Sequence, residues 1–415
     1  MTGFLHWVQI DASAAAKAEQ ALNGDLDSEV RDEIGFMAIH YAFANRFFPG
    51  TSVLHTRLRY LFFVPGLMQQ VAADGGSVSL ADRLRRAEAG VKDQLKTSES
   101  GRGIIGRRSL RGRMPSQLPS AAYWNALQQW GFLRPYEDGT YPTRPETLKS
   151  LAEISSSRRR NSRDDDGVAI NDRAGPFVDS LSAACVQAVA GKGELSFELE
   201  DNERRLFAEA IGSANEHVRT SLFARLMRSK VDLPEPGPDR YDVADEWPDW
   251  IIERSNPDER KALKIASDAA ALVCIGRAVY AAMVQELREK QDGTTSGERD
   301  HREILDQAIR EYGVAARRLA IDDLKSVMLA DPMPQPLINV LVKTQAWLKS
   351  GRHKQFMELC GDYSAAETPR KQERSRLRKT DYKRRLEWNP DEFSPAAPLH
   401  YRLAHVHQLV WDIQP

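Results

Sequence analysis

The sequence predicts a mainly α protein with small β elements, a helical multidomain chain that contains a winged-helix-like module. Hydrophobic residues recur at helical spacing over long stretches such as 261–289, whereas segments that alternate like strands are few and short. The chain has 415 residues, of which 41% are hydrophobic and 28% are charged. This is the composition of a globular protein with about two to four domains.

The predicted elements rest on periodicity and on capping signals. Ile34, Met37 and Tyr41 form one apolar face of the first long helix. Asn256 followed by Pro257 is a helix start in which a capping residue precedes a proline. In chain order, we predict a strand at 4–10 and helices at 28–47, 80–95, 120–130, 261–289, 303–329 and 337–348.

Polar and proline-rich breaks divide the chain into predicted domains. Residues 155–167 contain no hydrophobic residue, and residues 231–241 contain three prolines. We predict an N-terminal domain at 1–155 with the winged-helix-like segment at about 100–150, a linker at 156–174, a helical middle domain at 175–290 and a helical C-terminal region at 300–415.

Composition excludes several functional classes. A net charge of -1 argues against a chain that coats nucleic acid along its whole length. Three cysteines, Cys185, Cys274 and Cys360, exclude a disulfide framework and an all-cysteine zinc module. We predict no metal site and no cofactor.

The hydropathy pattern favours a cytoplasmic protein. The N-terminal residues lack the basic and apolar regions of a signal peptide. The longest apolar tract, 265–284, is interrupted by Asp268 and Arg277, so no transmembrane helix and no membrane partner are expected.

Charge is distributed unevenly along the chain. Residues 83–113 contain ten basic residues and three acids, and residues 370–385 contain nine basic residues and two acids. Residues 194–249 contain fourteen acids and seven basic residues. This pattern indicates either two anion-binding faces or basic and acidic segments that neutralise each other. The alternative, which the pattern favours equally, is a set of solvated helix faces.

A segment at 120–143 predicts the second half of a winged helix. Ser120 follows Pro119 as an N-cap, Gly131 ends the helix, and Asp138-Gly139 is the favoured dipeptide of a tight hairpin. Such a helix can lie in the major groove of DNA, or it can serve as a structural connector. The residues assigned to DNA contact in this segment are Ser120, Asn125, Gln128 and Arg134.

A basic loop lies directly upstream, at 101–113. Five arginines without an acid, set among glycines, can place guanidinium groups and backbone N–H groups against phosphate. They are Arg102, Arg107, Arg108, Arg111 and Arg113. The G-x-G-x-x-G spacing within the loop does not predict a dinucleotide site, because a charged helix precedes it and prolines follow.

A third candidate, at 47–60, is a possible anion site. Thr51 or Ser52 would cap a helix after the Pro-Gly turn, and Arg57 and Arg59 would add positive charge. The alternative is a capped helix between two core helices, with arginines that pair with carboxylates on the 28–47 helix.

Motifs for metal-dependent cleavage are weak. Asp249, Glu259 and Lys261 match a P-D…E-x-K spacing, but the last two fall in the first turn of a predicted helix, where side chains diverge. His400, His405 and His407 are better explained as residues of an amphipathic closing helix. No catalytic residue is predicted.

Several motifs resemble an uncharacterised bacterial family known as a domain of unknown function. They are G-F-L-H-W-V at 3–8, F-P-G-T-S at 48–52, T-R-L-R-Y at 56–60, G-I-I-G-R at 103–107, P-S-A-A-Y-W-N-A-L at 119–127, and the closing L-H-Y-R-L and W-D-I. Members often lie near helicase-like and phospholipase-D-like genes in defence loci. The resemblance implies a role centred on nucleic acid, and it supplies no catalytic residues.

Three hypotheses follow. The first is a non-enzymatic nucleic-acid-binding subunit, with DNA as its partner, in an antiviral assembly that includes other proteins. The second is an enzyme that acts on nucleic acid through a site near the F-P-G-T-S segment. The third is an architectural adaptor that docks to other proteins through the acidic 194–249 and basic 370–385 segments.

Overall fold

A computed structural model describes residues 32–74, 78–98, 102–110, 117–159, 174–190, 195–237, 241–294, 297–329 and 332–414. This part of the chain is mainly helical, as predicted, and contains no strand. Its β structure is an isolated antiparallel bridge between Leu133 and Phe177. The strand predicted at 4–10 lies outside the described residues.

The chain forms two compact units that are discontinuous in sequence. Unit 1 comprises the described residues of three segments, which end at Ala42, Glu246 and Leu399 and of which the second and third begin at Asp242 and Ala262. Unit 2 comprises Phe43–Tyr241, Trp247–Lys261 and residues from His400 onward. These units differ from the contiguous domains drawn at polar breaks, because such breaks do not show where distant segments return. A helix also runs through the predicted boundary at 155.

Unit 2 is built around the apolar helix at Tyr60–Ala73, which packs against the next four helices along the chain. Its Gly66 allows a close approach, because a Cβ there would lie 2.0 Å from the Cys185 carbonyl oxygen. The helices are α2 (Tyr60–Ala73), α3 (Leu80–Ser98), α4 (Pro119–Gln129), α5 (Arg144–Arg159), α6 (Asp179–Ala190), α7 (Asp201–Ser213), α8 (Glu216–Arg219), α9 (Leu222–Arg228), α10 (Asp249–Ile252) and α17 (Leu403–Ile413); α1 (Met37–Phe47) enters this unit at Phe43.

Unit 1 is built around α11 (Pro257–Lys290), which is buried along most of its length after its first turn. Tyr280 donates a hydrogen bond to the buried Glu367, and Gly276 leaves room for the ring of Phe36. The other elements are α12 (His301–Arg318), α13 (Ile321–Val327), α14 (Gln335–Ser350), α15 (Cys360–Lys371) and α16 (Tyr382–Leu386), with 3-10 turns at His353–Leu359, Gln372–Arg374 and Lys379–Asp381.

The helices predicted at 80–95, 120–130, 261–289 and 337–348 agree with the structure in type and approximate position. The helix predicted at 28–47 begins only at Met37, because residues 32–36, with Ile34 among them, are not helical. The helix predicted at 303–329 is instead two helices, because the backbone leaves the helical conformation at Leu319 and Ala320. Among the described residues, α11 has the length and hydropathy of a membrane-spanning helix, and 89% of its most apolar stretch is buried inside the protein. A buried core helix meets the same criteria, so this finding does not identify a membrane span.

Candidate nucleic-acid interface

The basic loop is anchored by its two isoleucines. Ile104 and Ile105 are buried, and the Ile105 N–H donates to the Tyr60 hydroxyl oxygen at 3.0 Å. Gly103 and Gly106 have φ values of 81° and 76°, which L side chains rarely adopt. The glycines therefore let the chain turn on each side of a buried apolar pair.

Two lysines of α3 hold the loop where it leaves that anchor. Lys92 is 2% exposed, and its Nζ donates to Ser109 Oγ and to the Leu110 carbonyl, each at 3.1 Å. Lys96 Nζ donates to the Ser109 carbonyl at 2.7 Å. The described part of the loop thus has a defined conformation, fixed by apolar burial and by charge-assisted hydrogen bonds.

Arg107 and Arg108 lie between these two anchors and are exposed. Neither side chain forms an ion pair or a hydrogen bond with a described residue. Arg102 is also exposed, and its Nη1 donates to the Pro236 carbonyl at 3.0 Å. The predicted Arg111 and Arg113 lie outside the described residues. The loop therefore presents two unpaired guanidinium groups from a fixed backbone.

Ser120 occupies a different position from the predicted N-cap. The N-cap residue of α4 is Leu118, because Pro119 takes the first helical position, which suits its fixed φ and missing N–H. Ser120 is buried, and its backbone N–H donates to Glu88 Oε1 at 2.6 Å. The Glu88 carboxyl thus satisfies a helix N–H that has no intrahelical partner, and burial raises the pKa of Glu88 to about 7.

The outward side of α4 carries two of the predicted contact residues. Asn125 and Gln128 are half-buried and form no side-chain hydrogen bond with described residues. Tyr123 and Leu127, on the opposite side, are fully buried. Arg134, which follows the helix, pairs with Asp179 at 2.5 Å. The stripe that contains Asn125 and Gln128 therefore has polar atoms free for a partner.

A turn follows α4 where the hairpin was predicted. The Tyr136 N–H donates to the Thr140 carbonyl at 2.7 Å, and Gly139 has a φ of 79°. Described residues on both sides of this turn are not strands, and Leu133 instead bridges to Phe177. The helix, glycine and tight turn of the predicted order are present, whereas a paired β wing is not.

The predicted anion site is filled by internal contacts. Thr51 and Ser52 are buried: Thr51 Oγ1 donates to the Phe48 carbonyl at 2.6 Å, and the Ser52 N–H donates to His55 Nδ1 at 3.1 Å. They do not cap a helix, because residues 51–58 are non-helical and α2 begins only at Tyr60. The helix start predicted at Thr51 or Ser52 is wrong.

The arginines of this segment pair with carboxylates of the same unit. Arg57 Nε lies 2.9 Å and 3.1 Å from the two oxygens of Asp412, which belongs to α17. Arg59 pairs with Glu203 of α7, with Nε to Oε2 at 3.0 Å. Pairing was the alternative considered for these arginines, but the carboxylates come from α7 and α17 and not from the 28–47 helix.

Tyr123 shapes this segment in a way that was not predicted from the sequence. Its hydroxyl oxygen accepts from the backbone N–H groups of Thr56 and Arg57, at 2.9 and 3.0 Å, and its O–H donates to the Arg57 carbonyl at 2.7 Å. The ring stacks on His55 at a centroid distance of 4.6 Å. The two family-like motifs at 48–60 and 119–127 therefore form one hydrogen-bonded structure.

The second basic segment, 370–385, is largely neutralised within unit 1. Six of its nine basic residues form ion pairs. Arg385 is fully buried against Asp292, and Arg376 pairs with Glu33. The paired residues are Arg370, Lys371, Arg376, Arg378, Arg384 and Arg385. Most of the charge of this segment is thus neutralised within unit 1, but the carboxylates in these ion pairs do not come from the acidic 194–249 segment.

The weak metal motifs gain no support. Glu259 pairs with Arg225, and His407 Nδ1 accepts from the Tyr241 hydroxyl at 2.6 Å. Within the described ranges, there is no group of three or more His, Cys, Asp or Glu side chains placed to hold a metal ion.

A family model described as "Family of unknown function (DUF6361)" matches residues 2–157. This match confirms the predicted resemblance to an uncharacterised family, and it includes the basic loop, α4 and the 48–60 segment. No curated protein and no solved structure matches the chain.

Proposed function

We propose that this chain is a non-enzymatic subunit that binds nucleic acid, with DNA as its partner, through the basic loop of unit 2. The observation that carries the proposal is the pair of exposed, unpaired arginines, Arg107 and Arg108, on a loop anchored at Ile104–Ile105 and at Ser109. Arg102 belongs to the proposed phosphate-binding set, as do Arg111 and Arg113, which lie outside the described residues.

The arginines of this loop are chemically suited to phosphate as a partner, as they also are to carboxylates. A guanidinium presents planar donors that match a phosphate, and backbone contacts of this kind carry no sequence information. Because the loop is already ordered by Lys92 and Lys96, little backbone conformational entropy is lost when Arg107 and Arg108 bind. Affinity would come mainly from the release of counterions from the nucleic acid.

In this proposal, residues 100–150 act as a winged-helix-like module. The half-buried stripe of α4 with Asn125 and Gln128 would face the base edges or the backbone beside the loop. Ser120 would act indirectly, since its N–H is bonded to Glu88, and Arg134 would first have to leave Asp179. Ser120 and Arg134 are therefore weaker contact candidates than Asn125 and Gln128.

The proposed setting is cytoplasmic, in a bacterial defence assembly with protein partners and without a membrane. It rests on the resemblance to the family of unknown function. An enzyme centred on Thr51, Ser52, Arg57 and Arg59 has less support, because these side chains or their backbone groups already have partners inside unit 2. An adaptor role for the 370–385 segment has less support for the same reason.

The test is fluorescence anisotropy of the purified full chain with labelled duplex DNA and with single-stranded DNA, from roughly 50 to 300 mM salt. Binding to the duplex that weakens steeply and linearly in log[salt] is the expected result. No binding to either nucleic acid at the lowest salt would contradict the proposal and would direct attention to a protein partner.

A further inference from the structure

Four arginines are buried in the described part of the chain, and one of them differs from the others. Arg59 pairs with Glu203, Arg385 with Asp292, and Arg402 donates to the Thr51 carbonyl and to Asn45. Arg288 is 9% exposed, yet its buried Nε has no hydrogen-bond partner. Burying a guanidinium without a partner is costly, so such a group calls for an anion or another acceptor.

The carboxylates nearest to Arg288 in the chain are already paired. Asp292 binds Arg385 at 2.7 Å, and Glu289 binds Arg302, also at 2.7 Å. Arg288 lies instead over the ring of Trp388, with its Cζ 5.6 Å from the ring centroid. The attraction to the ring compensates part of the desolvation but leaves Nε without an acceptor.

Two further polar atoms without partners lie in the same aromatic cluster of unit 1. Trp388 is 2% exposed and its Nε1–H has no acceptor; His301 is 1% exposed and its Nδ1 has no partner. The centroids of the two rings are 5.2 Å apart. Phe393 closes the cluster, 5.4 Å from Trp388 and 5.8 Å from His301. Three nitrogen atoms without hydrogen-bond partners thus belong to side chains of one cluster.

The hydrogen-bonding capacity of these atoms defines the ligand. Arg288 Nε and Trp388 Nε1 are donors only. His301 Nε2 lies 3.0 Å from the Pro390 carbonyl, which only accepts, so Nε2 carries the proton and Nδ1 of the neutral ring is an acceptor. A matching ligand must accept from two donors, offer one O–H to His301, and carry negative charge for Arg288.

We propose that the cluster of Arg288, His301 and Trp388 binds a hydrogen-bearing oxyanion, either free hydrogen phosphate or the phosphate of a monoester that retains an O–H. Phosphate provides the acceptors and the O–H that these three atoms require at neutral pH, whereas sulfate offers no O–H to His301. This site lies in unit 1 and is independent of the basic loop, so either proposal can fail without the other.

The test uses the full chain with ¹⁵N-labelled tryptophan indoles, followed by NMR at pH 7 and constant ionic strength. The Trp388 indole signal is assigned with Trp388→Phe. Inorganic phosphate should shift this signal saturably, and sulfate should bind at least tenfold more weakly. Ethyl phosphate, titrated separately, shows whether a monoester or the free ion binds better. The indole of Trp347, which donates to the Arg352 carbonyl, serves as the internal control and should not move.

Variants provide the second measurement. Arg288→Met, which keeps the apolar stem, should weaken phosphate binding at least tenfold, whereas Arg374→Met, at an exposed arginine of the same unit, should leave it unchanged. The proposal is overturned if the wild-type signal does not respond to phosphate, if sulfate shifts it equally, or if folded Arg288→Met binds phosphate as well as the wild type. The comparison of phosphate with sulfate needs no variant, so a failure of Arg288→Met to fold would not prevent the test.

Discussion

Arg57 and Asp412, which are 355 positions apart in the sequence, form a two-point ion pair inside unit 2. The Leu58 N–H donates to the same carboxylate at 2.7 Å. A carboxylate of the closing helix therefore occupies the place where the sequence predicts an exogenous anion. The arginine and the free N–H groups that suggested anion binding are used to hold α17 against the 48–60 segment.

Removal of this carboxylate should destabilise the protein strongly. The side chain of Asp412 is fully buried and that of Arg57 is 19% exposed, so Asp412→Ala leaves a largely buried cation and a backbone N–H without an acceptor. We expect a loss of about 3 kcal/mol in the free energy of unfolding, measured in urea. Glu209→Ala, which removes an exposed ion pair with Arg205, should leave the unfolding midpoint unchanged. Equal effects of the two changes would contradict the structural role of Asp412.

Two glycines in helices should respond in opposite directions to alanine. At Gly66 a Cβ would lie 2.0 Å from the Cys185 carbonyl oxygen, which forces α2 and α6 apart. Gly66→Ala should therefore cost more than about 3 kcal/mol or prevent folding. Gly90, within α3, has no atom within 4 Å of the added Cβ, so Gly90→Ala should stabilise by about 0.5–1 kcal/mol. Thermal unfolding of both variants tests the packing of α2.

Glu88 should make the stability fall as the pH rises. Burial raises its pKa from 4.5 to about 7, so between these values the folded chain binds a proton that the unfolded chain does not. Glu88→Gln removes this dependence and can still accept from the Ser120 N–H. The variant should gain about 2 kcal/mol relative to the wild type between pH 5 and pH 7.5, measured by urea unfolding. A constant difference across this range would show that Glu88 titrates normally.

His55 should have the opposite effect. Burial lowers its pKa from 6.5 to about 3, so below pH 6.5 the unfolded chain binds a proton that the folded chain does not. Its contribution to stability is complete above pH 6.5 and declines as the pH falls toward 3. The free energy of unfolding of the wild type, relative to that of His55→Gln, should therefore be about 2 kcal/mol lower at pH 5 than at pH 7.5. A stability difference that widens on acidification would rule out a buried neutral imidazole.

Much of the helical structure could be predicted because its signals are local. Asn256-Pro257 and the apolar repeat that follows define α11, and Pro119 with Gly131 brackets α4. The start of α2 could not be predicted, because the segment before it is fixed by the hydroxyl of Tyr123 and by Asp412. These partners are more than 60 residues away along the chain, and no periodicity reports them.

For the candidate site, the exposed arginines could be predicted from the sequence, but the contacts that anchor them could not. The exposed arginines of the basic loop follow from composition, because five arginines without an acid have no local partner. The anchors of this loop, Tyr60 and Lys92, depend on tertiary packing. The hydrogen bond from the Ser120 N–H to Glu88, which makes Ser120 a weaker contact candidate, depends on it as well. The cluster around Arg288 had no sequence signal, since an arginine at the end of a helix is ordinarily solvated.

The most direct test of the central claim is the salt dependence of duplex binding by the double variant Arg107→Ala/Arg108→Ala. If each arginine neutralises one phosphate, the slope of log K against log[salt] becomes less steep by about two units. Arg205→Ala, at an exposed arginine of the same unit that is already paired with Glu209, should keep the wild-type slope. An unchanged slope in the double variant would contradict the assignment of the basic loop as the DNA-binding surface.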